Sequence, residues 1–125
     1  MTRPVTLFTG QWADLPMEEM CKTAKEMGYE GLEIATWGQI DVHKAVSDPV
    51  YVKGLKDTLA KYGLGCWALG AHLAGQCVGD LWDPRLDGFA PGKFAGQPDK
   101  IREWAIEEMK VTARAAQAMG CTVVT

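Results

Sequence analysis

Apolar residues recur at helical spacing in three segments of the chain, and a glycine closes each segment. This pattern predicts helices over roughly 16–27, from Asp48-Pro49 to about residue 62, and from about 98 to 119. The glycines that follow them are Gly28, Gly63 and Gly120. Glycine is typical of the position just after a helix, where the backbone is left-handed and a side chain would be strained.

A short apolar run follows each of these glycines, as in "EMGYEGLEIATW", "KYGLGCWALGAH" and "AMGCTVVT". Together with the first residues of the chain, these runs predict strands at about 5–11, 31–37, 64–72 and 121–125. Strands that alternate with helices indicate βαβ crossovers and hence a parallel sheet.

The longest connection between predicted elements is the segment 74–97, which follows the third strand. It is rich in Gly, Pro and Asp and also carries the large apolar residues Trp82, Leu86, Phe89 and Phe94. Connections of this length inside a compact domain are usually functional. We therefore expect the segment to pack against the domain as a lid.

Alternation along the strands separates two faces of the predicted sheet. Leu32 and Ile34 are expected to face the helices, as are the bulky residues of the third strand: Trp67, Leu69, Ala71 and Leu73. The opposite face then carries four candidate binding residues, Trp12, Glu33, Trp37 and His72, with the smaller Cys66, Ala68 and Gly70. A closed barrel gives such a face an interior that opens at the carboxyl ends of the strands. A doubly wound sheet would favour a more uniformly apolar second strand.

Glu33 and His72 each have an alternative interpretation. A glutamate in mid-strand can serve as an internal ion-pair partner that determines packing, and a histidine at a strand end can be a structural group bonded to a neighbouring strand. His43, in "QIDVHKAV", is interpreted as a solvated loop histidine. The four cysteines include no CxxC pair, and buried reduced thiols explain them better than disulfides or a zinc site formed by His72 and Cys77.

Composition limits the classes of partner. The chain has 125 residues, 47% of them hydrophobic, and a net charge of −3. It is therefore long enough for one domain and has no basic field for nucleic acid or anionic lipid. The first ten residues, "MTRPVTLFTG", lack the apolar core of a signal peptide, and no run reaches membrane-spanning length. We expect a cytoplasmic protein that binds neither nucleic acid nor a membrane.

Three stretches resemble the sugar phosphate isomerase/epimerase superfamily, the xylose isomerase-like TIM barrels that include endonuclease IV-type enzymes. They are "GYEGLEIATW", "DPVYVKGLKDTLAKYGLGCWAL" and "AHLAGQCVGD", and the similarity covers essentially residues 1–125. The resemblance implies an α/β fold of the (β/α)8 TIM-barrel type. The chain would supply about the first half, strands 1–4 and helices 1–3, because the complete fold has about 250 residues.

The resemblance also implies a divalent metal (Mn, Co, Mg or Zn) in the complete barrel, bound by Glu, Asp and His from later strands, and a small sugar as substrate. His72 matches a metal-binding histidine of the endonuclease branch, and sugar isomerases often use this region for substrate contacts. Trp12 and Trp37 match positions that form apolar walls against a sugar, and Glu33 would line the same pocket. No catalytic acid or base is assigned within the chain.

Three hypotheses follow for its function. The first is the N-terminal half of a metal-dependent sugar or polyol isomerase or epimerase, inactive alone and completed by a C-terminal half or a second copy. The second is endonuclease IV-like phosphodiester hydrolysis with His72 on zinc, which the acidic balance disfavours. The third is a non-catalytic half-barrel that binds without chemistry.

Overall fold

Four short strands form one parallel sheet in the order in which they occur along the chain. The computed structural model describes residues 3–125, and its strands are β1 (Thr6–Phe8), β2 (Gly31–Ala35), β3 (Gly65–Gly70) and β4 (Val123–Val124). Each strand pairs in parallel with the next. The predicted parallel sheet is therefore confirmed, although every strand is shorter than predicted. Turns or a helix begin within two residues of the ends of β1, β2 and β3.

Five helices connect or flank the strands. They are α1 (Met17–Glu26), α2 (Val42–Ser47), α3 (Pro49–Lys61), α4 (His72–Gly79) and α5 (Pro98–Met119), with 3₁₀ turns at Thr9–Trp12, Pro84–Phe89 and Gly92–Phe94. The three predicted helices are confirmed as α1, α3 and α5. The sequence analysis missed α2 and α4, which are too short to show a long periodic pattern. Within residues 3–125, no helix has the length and apolar character needed to cross a membrane.

The ends of the predicted helices form as their sequence signals indicate. The Asp48 carboxylate accepts hydrogen bonds from the backbone N–H groups of Val50 and Tyr51 at the start of α3, at 2.9 and 3.1 Å. Gly28, Gly63 and Gly120 all have positive φ, at 87°, 63° and 81°. Residues adjacent in sequence therefore determine where α3 begins and where α1, α3 and α5 end.

One face of the sheet packs under the helices and forms the main core. Leu32, Ile34 and Leu69 are completely buried there. Helices α1, α2, α3 and α5 cover them with apolar residues that include Met20, Ala45, Leu55, Leu59 and Met119. Glu33 lies between Leu32 and Ile34 in β2 and points to the other face, where a β-carbon on Gly70 would come within 3.1 Å of its carboxylate. The predicted orientation of β2 is confirmed.

The predicted orientation of β3 is wrong for Cys66 and Trp67, and Leu73, predicted on the same strand, lies in α4 instead. The register with β2 shifts between Leu32 and Glu33, so that Trp67 is an extra residue on β3. The Trp67 ring occupies the space that side chains would need at Gly31 and Gly65. Cys66 instead packs against the helix-side core. A β-bulge inverts the alternation locally, and the two glycines provide room for the indole on the face opposite the helices.

We expect Asp48→Ala to lower the free energy of unfolding by about 1 kcal/mol, because two N–H groups at the start of α3 lose their acceptor. Urea denaturation followed by circular dichroism measures the change. Asp57→Ala on the same helix is the control, since it removes only an exposed pair with Lys53 and should cost less than about 0.5 kcal/mol. Equal losses in the two variants would contradict the capping role.

Candidate functional site

Three rings meet at the carboxyl ends of β1, β2 and β3. The ring centroids of Phe8 and Trp37 are 5.7 Å apart, those of Phe8 and His72 are 5.2 Å apart, and those of Trp37 and His72 are 4.8 Å apart. The planes are tilted or edge-to-face, which is the favourable geometry for aromatic pairs. We call Phe8, Trp37 and His72 the ring cluster.

Two glycines provide the space for the ring cluster. A β-carbon on Gly70 would lie 2.6 Å from the Phe8 ring, and one on Gly10 would lie 3.0 Å from the Trp37 ring. Any side chain at these positions would overlap the rings. The glycines therefore allow aromatic groups to lie directly over the backbone at the strand ends.

Buried hydrogen bonds hold the strand ends in place beneath the rings. The Thr9 hydroxyl, completely buried, accepts a 2.9 Å bond from the Ala35 backbone N–H. The Thr36 N–H donates to the Gly70 carbonyl at 2.9 Å. These hydrogen bonds join the strands beyond their last paired residues. They hold the backbone from which the Trp37 and His72 side chains extend.

Glu33 lies on the same face as the ring cluster and contacts the last residue of the chain. Its Oε1 atom accepts a 2.7 Å hydrogen bond from the Thr125 hydroxyl. Phe8 and Ala68 are its partners on the neighbouring strands. A carboxylate thus lies next to an aromatic surface at the end of the sheet where barrel active sites form.

The position of His72 differs from the prediction in one respect. His72 does not end the third strand but is the first residue of α4. The strand ends at Gly70 because the next residues form a helix, in which Ala74 and Cys77 are buried. The glycine-rich composition predicts a connection from residue 74 onward, but the apolar spacing of this segment is helical.

Trp12 does not join the ring cluster. The chain leaves β1 after Phe8 and forms a 3₁₀ turn, so strand alternation no longer applies at residue 12. Trp12 packs against the helix-side core instead. Phe8 was not among the predicted site residues, although alternation places it on the same face as Glu33, and this signal could have identified it.

The segment predicted as a lid packs beside the ring cluster. A cavity of about 90 Å³ is lined by Trp37 and by Phe89 of this segment, together with Thr36, Leu73, Ala74, Trp104 and Glu108. Asp87 holds the segment together by accepting bonds from Trp82 Nε1 at 2.9 Å and from the Gly96 N–H at 2.8 Å. The segment is thus partly helix α4 and partly a braced turn structure, and its function as a lid stays a prediction.

A larger open groove lies outside the ring cluster, between α2, α5 and the Gly92–Phe94 turn. Its volume is about 690 Å³, and its walls include Phe94, Trp104 and Glu108. His43, predicted to lie in a loop, belongs to α2, and its Nε2 atom is 2.8 Å from the Glu108 carboxylate. Mixed charges line this groove, and it shares only Trp104 and Glu108 with the smaller cavity.

The described part of the chain does not by itself form a metal site. Among residues 3–125, no three His, Cys, Asp or Glu side chains come together in a way that could hold a metal ion. Cys77, considered beside His72 for zinc, is buried in α4, and its thiol approaches the Leu73 carbonyl at 3.5 Å. His72 remains a single candidate ligand.

Sequential parallel strands with the main core on one face define part of a (β/α)8 barrel, with the ring cluster at the end where such barrels bind ligands. The chain belongs to the xylose isomerase-like TIM barrel family, whose model matches residues 21–125. No curated protein shows significant similarity to it. The fold and family that the sequence predicts are confirmed.

We expect Gly70→Ala to lower the free energy of unfolding by about 1–3 kcal/mol, because the new methyl group overlaps the Phe8 ring. Urea denaturation measures the loss, and near-UV circular dichroism reports the change in ring packing. The matched control is Gly54→Ala in α3. Apart from the helix itself, no heavy atom of residues 3–125 lies within 4 Å of the new methyl group there.

Gly54→Ala should increase stability by about 0.5–1 kcal/mol, as expected for alanine in a helix interior. A Gly70→Ala variant with native stability and an unchanged near-UV spectrum would contradict the ring packing over Gly70.

Proposed function

We propose that the chain forms the first part of a sugar isomerase or epimerase barrel that acts on a small sugar or polyol. The observation that supports this most directly is the ring cluster at the carboxyl ends of the strands, next to the Glu33 carboxylate. Small-molecule sites combine apolar walls with a few placed polar groups. In this proposal, Trp37 and His72 contact the substrate, and Phe8 takes the supporting position that was predicted for Trp12. The Glu33 carboxylate accepts a hydrogen bond from a substrate hydroxyl.

The proposed reaction is proton transfer at a carbon next to a carbonyl group. A divalent metal would polarise the carbonyl oxygen and stabilise the negative charge that develops in the transition state. His72 is the candidate ligand from this part of the barrel. Residues 3–125 form no complete metal-ligand set, and the remaining ligands and the catalytic acid and base are expected from the later strands of the barrel.

Hydrogen exchange at the substrate carbon tests the reaction class. The complete barrel that carries this chain is incubated in D₂O with a panel of aldoses, ketoses and their phosphates, with Mn²⁺, Co²⁺ or Mg²⁺. We expect deuterium to enter at the carbon next to the carbonyl of at least one sugar, detected by mass spectrometry. Cleavage of DNA at an abasic site without any exchange in sugars would contradict the proposal and favour phosphodiester hydrolysis.

We expect His72→Ala to lower kcat/KM at least tenfold in the complete barrel, or roughly 1.4 kcal/mol of transition-state stabilisation, with little change in melting temperature. His72→Phe should be as inactive, because it keeps a ring against Phe8 and Trp37 but removes the ring nitrogens. His43→Ala, an exposed histidine on α2, is the control and should retain full activity.

Recovery of activity in His72→Phe would show that the histidine only fills space. Unchanged kinetics of His72→Ala together with a large loss of stability would assign it to the scaffold.

We expect the chain of residues 1–125 alone to bind divalent metals weakly and to lack isomerase activity, because one candidate histidine does not make a closed or catalytic site. Isothermal titration with Mn²⁺, Co²⁺ and Zn²⁺ measures the affinity. His72→Ala is the matched variant, and it should remove what weak binding there is. Stoichiometric binding at micromolar concentration would contradict this expectation.

A further inference from the structure

Two cysteine thiols meet at the amino end of the sheet, away from the ring cluster. Cys66 is the second residue of β3, and Cys121 lies two residues before β4. Their Sγ atoms are 3.3 Å apart. The sulfur atoms of a disulfide are about 2.05 Å apart, so the two sulfur atoms need to approach by about 1.25 Å to form one.

The pKa values of the two thiols are shifted in opposite directions. The hydrogen bond with Cys121 raises the pKa of the Cys66 thiol, and burial raises it further. The same bond lowers the pKa of the Cys121 thiol although burial acts in the opposite direction, and the positive charge of Lys56 adds to the lowering. The pair is therefore asymmetric: Cys121 loses its proton more readily than Cys66, which makes Cys121 the better attacking cysteine and Cys66 the resolving one.

The other two cysteines are buried, as Cys121 is, but the pKa of each of their thiols is raised rather than lowered. Cys21 is completely buried in the main core, and burial raises the pKa of its thiol to about 11. Cys77 is buried against the Leu86 and Ile101 side chains, and burial raises the pKa of its thiol as well. Both thiols remain protonated near neutral pH, so they serve as internal references for the reactivity of the pair.

We propose that Cys66 and Cys121 form an oxidisable dithiol that closes into an intramolecular disulfide when the protein meets a hydroperoxide. The Cys121 thiolate attacks one peroxide oxygen, the O–O bond breaks, and a sulfenic acid and hydroxide form. The Cys66 sulfur then displaces the sulfenic oxygen, which leaves as water. In total, two thiols and one hydrogen peroxide give one disulfide and two waters.

The disulfide would add a covalent link to the pairing of β3 with β4. Ala68 pairs with Val123 and Leu69 with Val124, and the Thr125 backbone continues this pairing with hydrogen bonds to Leu69 and Ala71. At the far end of β4, Thr125 binds Glu33 beside the ring cluster. A covalent link between Cys66 and Cys121 would hold the amino end of β4 on β3, and so limit the separation of the strand that carries Thr125.

Peptide mapping after oxidation tests the proposal. The reduced chain is treated with a small excess of hydrogen peroxide, alkylated, and digested with trypsin and then chymotrypsin, because cleavage after Trp67 separates Cys66 from Cys77. We expect a Cys66–Cys121 cross-linked peptide that has lost two hydrogen atoms, while Cys21 and Cys77 are recovered alkylated. In Cys66→Ser, Cys121 should instead be trapped as a sulfenic acid by dimedone.

The double variant Cys21→Ser/Cys77→Ser is the matched control, and it should give the same cross-link at the same rate. The selectivity should disappear in urea, because it depends on the folded contact. Cross-links of similar yield to Cys21 or Cys77, cross-links between molecules, or the same pattern in urea would each overturn the proposal. Recovery of all four cysteines alkylated would overturn it too.

Discussion

The orientation of β2 determines which residues of this protein can form a site. Leu32 and Ile34 are completely buried under the helices, and each contributes about 1.5–3 kcal/mol by leaving water. A register shift of one residue would expose both of them and bury Glu33, whose carboxylate is costly to place in an apolar core. The apolar pair thus holds the glutamate on the opposite face.

Small residues at the strand ends decide what lies above that face. Gly10 and Gly70 leave the backbone open, and the Phe8 and Trp37 rings fill the space that side chains there would take. The buried Thr9 hydroxyl ties β1 to β2 at the same level. The outcome is an aromatic surface with one carboxylate beside it, formed by Phe8 of β1, by Trp37 in the turn after β2 and by His72, the first residue of α4.

The two ends of the sheet differ in chemistry. The carboxyl end has rings and a carboxylate, and the braced segment around Asp87 packs next to it through Phe89. The amino end contains the bulge at Trp67 and the contact between Cys66 and Cys121. Barrel folds commonly separate ligand binding from stability in this way, since loops at the carboxyl ends vary while the opposite end holds the strands together.

Short-range signals in the sequence determined the helix starts and ends, the parallel sheet and the face of β2. Asp48 and Gly120 act through their own backbone neighbourhood, and the alternation of Leu32, Glu33 and Ile34 needs only a sheet with one covered face. The bulge at Trp67 and the turn that takes Trp12 to the core were decided by tertiary structure. Each depends on space that distant residues leave or fill, such as Gly31 for the Trp67 indole, and no local pattern records that space.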